Sequence, residues 1–538
     1  MSRKNVEESF EKLSGDGENS RIIRAAGVVG TATLGSRILG FVRDMVTAFF
    51  FGTGNAADAF FVAFTIPNLL RRLFAEGTMT VSFVPIFTDY IVNEGKEEAF
   101  RVARITMTIL SIVLVFTVLI GIVFSPEIVF LFAPGFKGDP QKWGLTVDLT
   151  RIMFPFILFV SFTALAMGVL NSMGHFLAPA SAPILLNVAM IGSMFLISPL
   201  MKRPIVGLAW GVIIGGLLQV LLQIGPLLKR GVTFRPSLDY KHPAVKMMLK
   251  LMLPAIFGAS IYQLNVVVIR FLASFLESGS VSYLYYADRL TQFPLGIFAV
   301  AIGTAVLPSM SKMAATGRID DLKRSFTDSL SMTLFITVPA SVGLIVLRVP
   351  IISLLFYRGE FDYSSVVATA DALLYFSIGL PAVSGVRVMA NAFYALKDTA
   401  TPVKIGAMSI ALNIILCILL MEPLKHGGLA LAVSAAAFLN AFLLLYVFRR
   451  REGRLRLRRL FVSLVKTGIA CVAMGASSMF VASFCDWGLK GQNLNKLVFM
   501  TLAIVFGIIV YIAATYLMGS RELKGIAGPI KRKLKTGS

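Results

Sequence analysis

Apolar segments close to the ~20 residues that cross a bilayer as an α-helix recur along the whole chain, separated by short stretches rich in charge, proline or glycine. The pattern predicts helices near 24–51, 57–90, 100–124, 145–172, 177–199, 205–228, 246–275, 281–311, 325–347, 366–395, 402–422, 427–448, 461–484 and 495–519, about fourteen in all. The expected fold class is an all-α polytopic membrane protein. Residues before the first helix are polar, carry both charge signs and lack an apolar signal core. The first helix is therefore expected to act as an uncleaved signal anchor.

A nearly constant offset links the two halves of the chain. Pro126–Phe136 (PEIVFLFAPGF) matches Pro350–Phe361 (PIISLLFYRGEF) about 224 residues on, with one residue inserted. Pro85 matches Pro308 and Pro179 matches Pro402, both 223 residues apart. Gly207-Leu208-Ala209 matches Gly428-Leu429-Ala430 at 221, a frame that sets Gln219 on Asn440 and Lys229 on Arg450. A shared offset is the mark of an internal duplication, here of a six-helix unit. Six is even, so both copies enter from the same side and the repeats are parallel. Two such bundles around a central cavity form an alternating-access architecture. The expected organisation is a polar tail (1–23), an N-lobe (24–230), a linker (231–245), a C-lobe (246–450), a basic linker (451–460), two added helices (461–519) and a basic tail (520–538).

Composition sharpens this picture. The 538 residues are 56% apolar and 15% charged with mean hydropathy +0.79, against roughly 45–50% and about 25% in soluble domains. A net charge of +22 would suit nucleic acid, but the bases fall in gaps between apolar runs, as topology signals do. No nucleic-acid partner is expected. Cys417, Cys471 and Cys485 lie in or beside apolar runs without CxxC spacing, and only His175, His242 and His426 are present. Disulfides, zinc and histidine catalysis are not indicated.

Sorting the 51 bases by alternate gaps puts about 33 on the side of the termini and about 10 on the other. The positive-inside rule then places both termini in the cytoplasm. Eight bases remain inside spans: Arg37, Arg43, Arg71, Arg72, Arg270, Arg289, Arg387 and Lys466. Arg37 stands 13 residues past Arg24, roughly 20 Å into its helix at 1.5 Å per residue. Arg71 is similarly deep. A midplane arginine costs about 2.5–3.5 kcal/mol on insertion scales. One reading pairs these arginines with Asp44, Asp58, Glu76 and Asp288; Arg72 and Glu76 stand at i, i+4, and Arg37 and Asp44 lie two turns apart. The other reading, favoured by the surplus of arginine over acid, is an anion-binding cavity. The guanidinium fork binds phosphate bidentately and stays charged, which points to diphosphate-linked lipids. Pro67 and Pro294 read as kinks, Gly211 and Gly215 as a close helix contact, and GTGNAAD (52–58) completes no nucleotide fingerprint.

The segments SRILGFVRD (36–44), DAFFVAFTIPNLLRRLFAEG (58–77), APGF (133–136) and YYADRLTQFPLG (285–296) closely resemble the MurJ/MviN family of bacterial lipid II flippases, within the multidrug/oligosaccharidyl-lipid/polysaccharide exporter superfamily. The resemblance covers nearly the whole chain. It implies a transporter, not an enzyme, that turns the undecaprenyl-diphosphate-linked peptidoglycan precursor, lipid II, from the cytoplasmic to the periplasmic leaflet of the inner membrane for cell-wall synthesis. By motif it assigns substrate binding to Arg37, Arg43, Arg71 and Arg289, with Asp58 also implicated; Ser36, Asp44, Asp58, Arg72, Glu76, Asp288 and Gln292 are expected to support or gate. Gln292 stands where an acidic residue is common. The seventh span has no carboxylate before its end, its notable polar residue being Asn265, and no metal site is assigned. Membrane lipids and cell-wall synthesis proteins are the further partners expected.

The expected mechanism is alternating access with the diphosphate on the arginines and the lipid tail in a groove. No cofactor is expected; membrane potential or a monovalent cation is the expected source of coupling. Two alternatives are a flippase for another polyprenyl-diphosphate-linked oligosaccharide and a drug/cation antiporter, which would favour acids in its cavity. An integral membrane enzyme acting on lipid-linked sugars would need a DxD-like pair or a histidine cluster, and neither stands in the loops.

Overall fold

The structure, a computed structural model, describes residues 27, 29–72, 79–296 and 300–524. Among the described residues every regular element is helical. In order these are α1 (29–51), α2 (Asn55–Arg71), α3 (Met79–Asn93), α4 (Lys96–Val123), α5 (Ser125–Phe132), α6 (Pro140–Met153), α7 (Phe156–Ser172), α8 (Leu177–Leu196) and α9 (Ile205–Leu228). Then follow α10 (Pro243–Ala273), α11 (Ser280–Pro294), α12 (Val300–Ala315), α13 (Ile319–Val346), α14 (Arg348–Phe356), α15 (Tyr363–Ala395), α16 (Ala400–Glu452), α17 (Leu457–Ala482) and α18 (Asn493–Leu517).

Nine helices among the described residues are long and apolar enough to cross a bilayer. Their outward faces say what solvent they meet. On α4, Ala99, Val102, Leu114 and Val118 are buried while Val113, Phe116, Leu119 and Ile120 are exposed. An apolar exposed face is stable only in hydrocarbon. The spans expected at 402–422 and 427–448 are two arms of α16, which breaks at Lys425 (φ 49°, ψ −132°). The span expected from 145 starts earlier, at Pro140, because Asp139 caps its first turn by accepting from the Gln141 and Lys142 amides. It divides at Pro155, which has no amide hydrogen to donate.

The duplication is visible in helix bounds. α4 and α13 are both 28 residues long and shifted by 223 at each end, from 96 to 319 and from 123 to 346. Each is followed after one residue by a short helix, α5 or α14, and the linking Phe124 and Leu347 share a backbone conformation (φ −91°, ψ 22° and φ −96°, ψ 17°). Asp139 and Asp362 cap the helices that follow, 223 residues apart.

The chain divides into two compact units, Met1–Phe51 with Asn55–Val267 and Gly52–Gly54 with Val268–Ser538. The chain passes from one to the other within α10. In the first unit Phe83 and Phe87 stack 5.2 Å apart in a core that includes Val102, Leu165, Leu227 and Met248. In the second, Phe326 and Phe448 stack at 4.6 Å, with Phe393 edge-on to Phe448. The added pair α17 and α18 belongs to this second unit. Tyr511 of α18 donates its hydroxyl to the Phe335 carbonyl at 2.6 Å, and Ser478 of α17 fills the space left by Gly507.

Candidate functional site

In the first unit α1 presents a buried stripe of Gly40, Arg43, Asp44, Thr47 and Ala48. Arg43 donates Nε (3.1 Å) and Nη2 (2.7 Å) to one oxygen of Asp44, and Nη1 to Asn187 Oδ1 at 3.2 Å. Both charged side chains are below a tenth exposed. Asn187, on α8, also donates to the Ser36 carbonyl at 3.2 Å. On the α9 side α8 is packed closely: a Cβ added at Gly215 would lie 2.7 Å from Leu186 Cδ1 and 2.9 Å from its Cα. Arg37 lies on the Asp44 side of α1 two turns earlier, where the stripe is exposed.

Asp58, buried in the first turn of α2, accepts from Lys142 Nζ at 2.8 Å. Lys142 is itself buried, with its ammonium 4.1 Å from the centre of the Phe136 ring. Asn55 Nδ2 donates to Asp139 at 2.9 Å. The start of α2 and the start of α6 are thus held together by a buried charge pair and the Asn55–Asp139 hydrogen bond, while the cation–π contact and the Asp139 cap fix the start of α6 itself. Arg71, at the other end of α2, is half-buried and donates Nε to Asn68 at 3.2 Å; Arg72 beside it is exposed. Glu76 lies outside the described residues.

In the second unit Asp288 and Arg289 are half-buried on α11, and Gln292 one turn later is exposed and donates Nε2 to Asp288 Oδ2. On the neighbouring α10, Arg270 donates Nη1 to the Val281 carbonyl at 2.9 Å and sits 5.9 Å from the Tyr285 ring.

The sequence-assigned residues are therefore grouped as Arg43 with Asp44, and Asp288 with Gln292. Asp58 pairs with Lys142, which lies before the span expected from 145, and Asn187 is a further partner that the motifs do not name. One signal for Lys142 was available: Asp139-Pro140 is a helix start, which puts Lys142 in the first turn. The first residues of the 52–58 stretch have a packing role. Gly52 turns with φ +57° against the Glu360 backbone, and Thr53 and Ser365 share a 2.6 Å hydrogen bond.

The family model described as lipid II flippase MurJ matches residues 47–513. The probable lipid II flippase MurJ of Vibrio cholerae serotype O1 is 37% identical over 519 residues, covering 94% of this chain and 97% of the relative. The lipid II flippase MurJ of Burkholderia cenocepacia is 36% identical over 509 residues, with 93% and 98% covered. Among solved structures, a lipid II flippase MurJ in an inward closed conformation matches with TM-score 0.77 and 28% identity over 91% of this chain and 98% of that one. An inward-facing multidrug-resistance MATE transporter of the MOP superfamily, 17% identical over 79% of this chain and 98% of its own, shares the fold with TM-score 0.66. A match that runs through almost every helix described, in sequence and in fold, makes this chain a member of the lipid II flippase MurJ family.

Proposed function

We infer that this chain is a lipid II flippase: a multi-pass protein of the bacterial inner membrane that transports a lipid-linked precursor and changes no bond in it. The observation that carries the reading is the family match across 47–513, a range that includes Arg71 and Arg289. In our reading the headgroup moves from the cytoplasmic to the periplasmic leaflet by alternating access, and both termini are cytoplasmic. Arg37, Arg71 and Arg289 contact the diphosphate. Arg43, held by Asp44 and Asn187, contributes positive field from a fixed position. Arginine charge offsets substrate charge, so the loaded cavity crosses a low-dielectric region near neutrality. A bound anion favours closure only by binding the closed state more tightly. The membrane potential, worth about 2.3 kcal/mol per charge per 100 mV, then resets the empty cationic site.

Transbilayer movement of fluorescent lipid II in proteoliposomes, at an imposed potential, tests this. Wild-type protein is expected to move the lipid and the Arg37→Ala and Arg289→Ala variants are expected not to. Undiminished transport by both variants would overturn the assignment of those arginines, and folded wild-type protein that moves no lipid would overturn the function.

A further inference from the structure

The segment 231–242 that follows the first repeat has no regular structure and lies along the basic end of α4. Arg104 Nη1 donates to Thr233 Oγ1 and the Ser237 amide to Thr108 Oγ1, both at 3.0 Å. Further along, Arg101 meets Asp239 at 3.3 Å and His242 meets Glu98 at 3.1 Å. Beneath Val232–Phe234, helices α4, α7 and α9 leave a cavity of about 190 Å³. Its walls are apolar, Ala103, Leu165, Ala166, Ile224 and Leu227 among them, and Arg104 and Thr233 are the polar side chains that line it.

The second repeat closes the same place. Ala103 and Leu227 correspond, at the offsets of 223 and 221, to Phe326 and Phe448, whose stacked rings are 0–1% exposed. Arg104 corresponds to Thr327, which is buried and donates its hydroxyl back to the Lys323 carbonyl. The fold therefore requires neither a cavity nor an arginine at this position. The first copy has both, together.

Chemistry narrows the occupant. An apolar cavity of this size accepts hydrocarbon. Arg104 lines the cavity, and Lys229, Arg230 and Arg235 stand within three residues of Val232–Phe234 in the chain; among the described residues none of the four has an acidic side chain within ion-pair distance, whereas Arg101 has both Glu98 and Asp239. The basic end of the unit is the end that the positive-inside rule sets at the cytoplasmic leaflet, where basic pockets between helices take anionic headgroups. We propose that this cavity is a binding site for an anionic glycerophospholipid of the inner leaflet, one acyl chain lying between α4, α7 and α9 and the phosphate on Arg104 and its basic neighbours. The bound lipid ties segment 231–242 to α4, α7 and α9.

The test is native mass spectrometry of the full-length, delipidated protein titrated with phosphatidylglycerol or with phosphatidylcholine of the same acyl chains. Two variants separate the two halves of the lipid: Ala103→Phe fills the cavity with the residue that the second repeat uses, and Arg104→Gln removes the charge and keeps a donor. Wild type is expected to retain phosphatidylglycerol over phosphatidylcholine, and each variant to lose about tenfold in apparent affinity, the scale of one charge-assisted contact. Unchanged melting temperature in both variants shows that the fold is intact; should Ala103→Phe fail to fold, Ala166→Leu fills the cavity from α7. Loss only in Arg104→Gln would mean headgroup adsorption with no chain in the cavity and would overturn the proposal. Equal retention of both lipids, or variants that bind like wild type, would overturn it as well.

Discussion

Lys142 Nζ lies 2.8 Å from Asp58 Oδ2, and the two side chains are 6% and 1% exposed. Removing one member of a buried pair leaves an uncompensated charge and costs about 3–5 kcal/mol, whereas replacing both by apolar groups is close to neutral. Asp58→Asn and Lys142→Met are each expected to lower the melting temperature clearly, and the double variant to recover most of the loss. Lipid II transport decides whether Asp58 acts only by holding α2 against α6. In that case the double variant transports; a double variant that is stable and inactive would assign Asp58 to the substrate.

The four assigned arginines differ in how they are held, and their variants are expected to differ accordingly. Arg43 has three donor contacts to Asp44 and Asn187, so Arg43→Ala removes three buried hydrogen bonds and is expected to lower stability and transport together. Arg43→Lys, which cannot reproduce the fork, is expected to rescue neither fully. Exposed Arg37 is expected to lose transport on replacement by alanine with a melting temperature close to wild type. Equal destabilisation by Arg37→Ala and Arg43→Ala, measured in detergent, would contradict this division.

Hydropathy and offset made the helices and their duplication legible because a bilayer-spanning helix writes its length directly into the sequence. The charges at span ends were less legible. Lys142 and Lys496 each close a polar stretch just before an apolar run (KGDPQK and KGQNLNK), and such a charge reads as a loop. What buries them lies largely elsewhere in the chain. Lys142 finds Asp58; Lys496 finds Ser353 Oγ at 2.9 Å, the Leu489 carbonyl at 2.6 Å and the Tyr357 ring at 4.9 Å. Asp44 was expected within reach of Arg37 by helical spacing, and its contact with its neighbour Arg43 depends on Asn187 arriving from α8. The break at Lys425 was legible from the Pro423 and Gly427-Gly428 that flank it, since a Cβ at Gly427 would lie 2.7 Å from the Tyr375 ring.

The missing side chain of Gly215 lets α9 approach Leu186, and the next residue on α8, Asn187, holds Arg43. Gly215→Val is expected to push the helices apart, costing about 1–3 kcal/mol for overpacking, and to reduce transport through the displaced Asn187. Gly225, with nothing within 4 Å of an added Cβ, is the control on the same helix: Gly225→Ala is expected to leave both melting temperature and transport unchanged.

Asp398, in the connection between α15 and α16, accepts from the Thr401 hydroxyl at 2.6 Å and the Thr401 amide at 2.9 Å, and from Arg451. The Thr401 hydroxyl first, then its amide and the Arg451 guanidinium, outweigh partial burial and hold the carboxyl below its usual range. A group whose folded-state pKa is depressed adds stability that is present above its unfolded value, about 3.9, and is lost as pH falls through the folded value. Asp398→Ala is therefore expected to cost about 1 kcal/mol at pH 7, the usual worth of a helix cap. The gap between wild type and variant should hold down to about pH 4 and close below it, as protonation turns the carboxylate into a neutral group that Arg451 no longer attracts. Melting temperatures of the two proteins, measured in the same detergent from pH 7 to about pH 3, read this directly: a gap that stays constant through that range would mean that Asp398 acts through its neutral hydrogen bonds and that its charge contributes nothing.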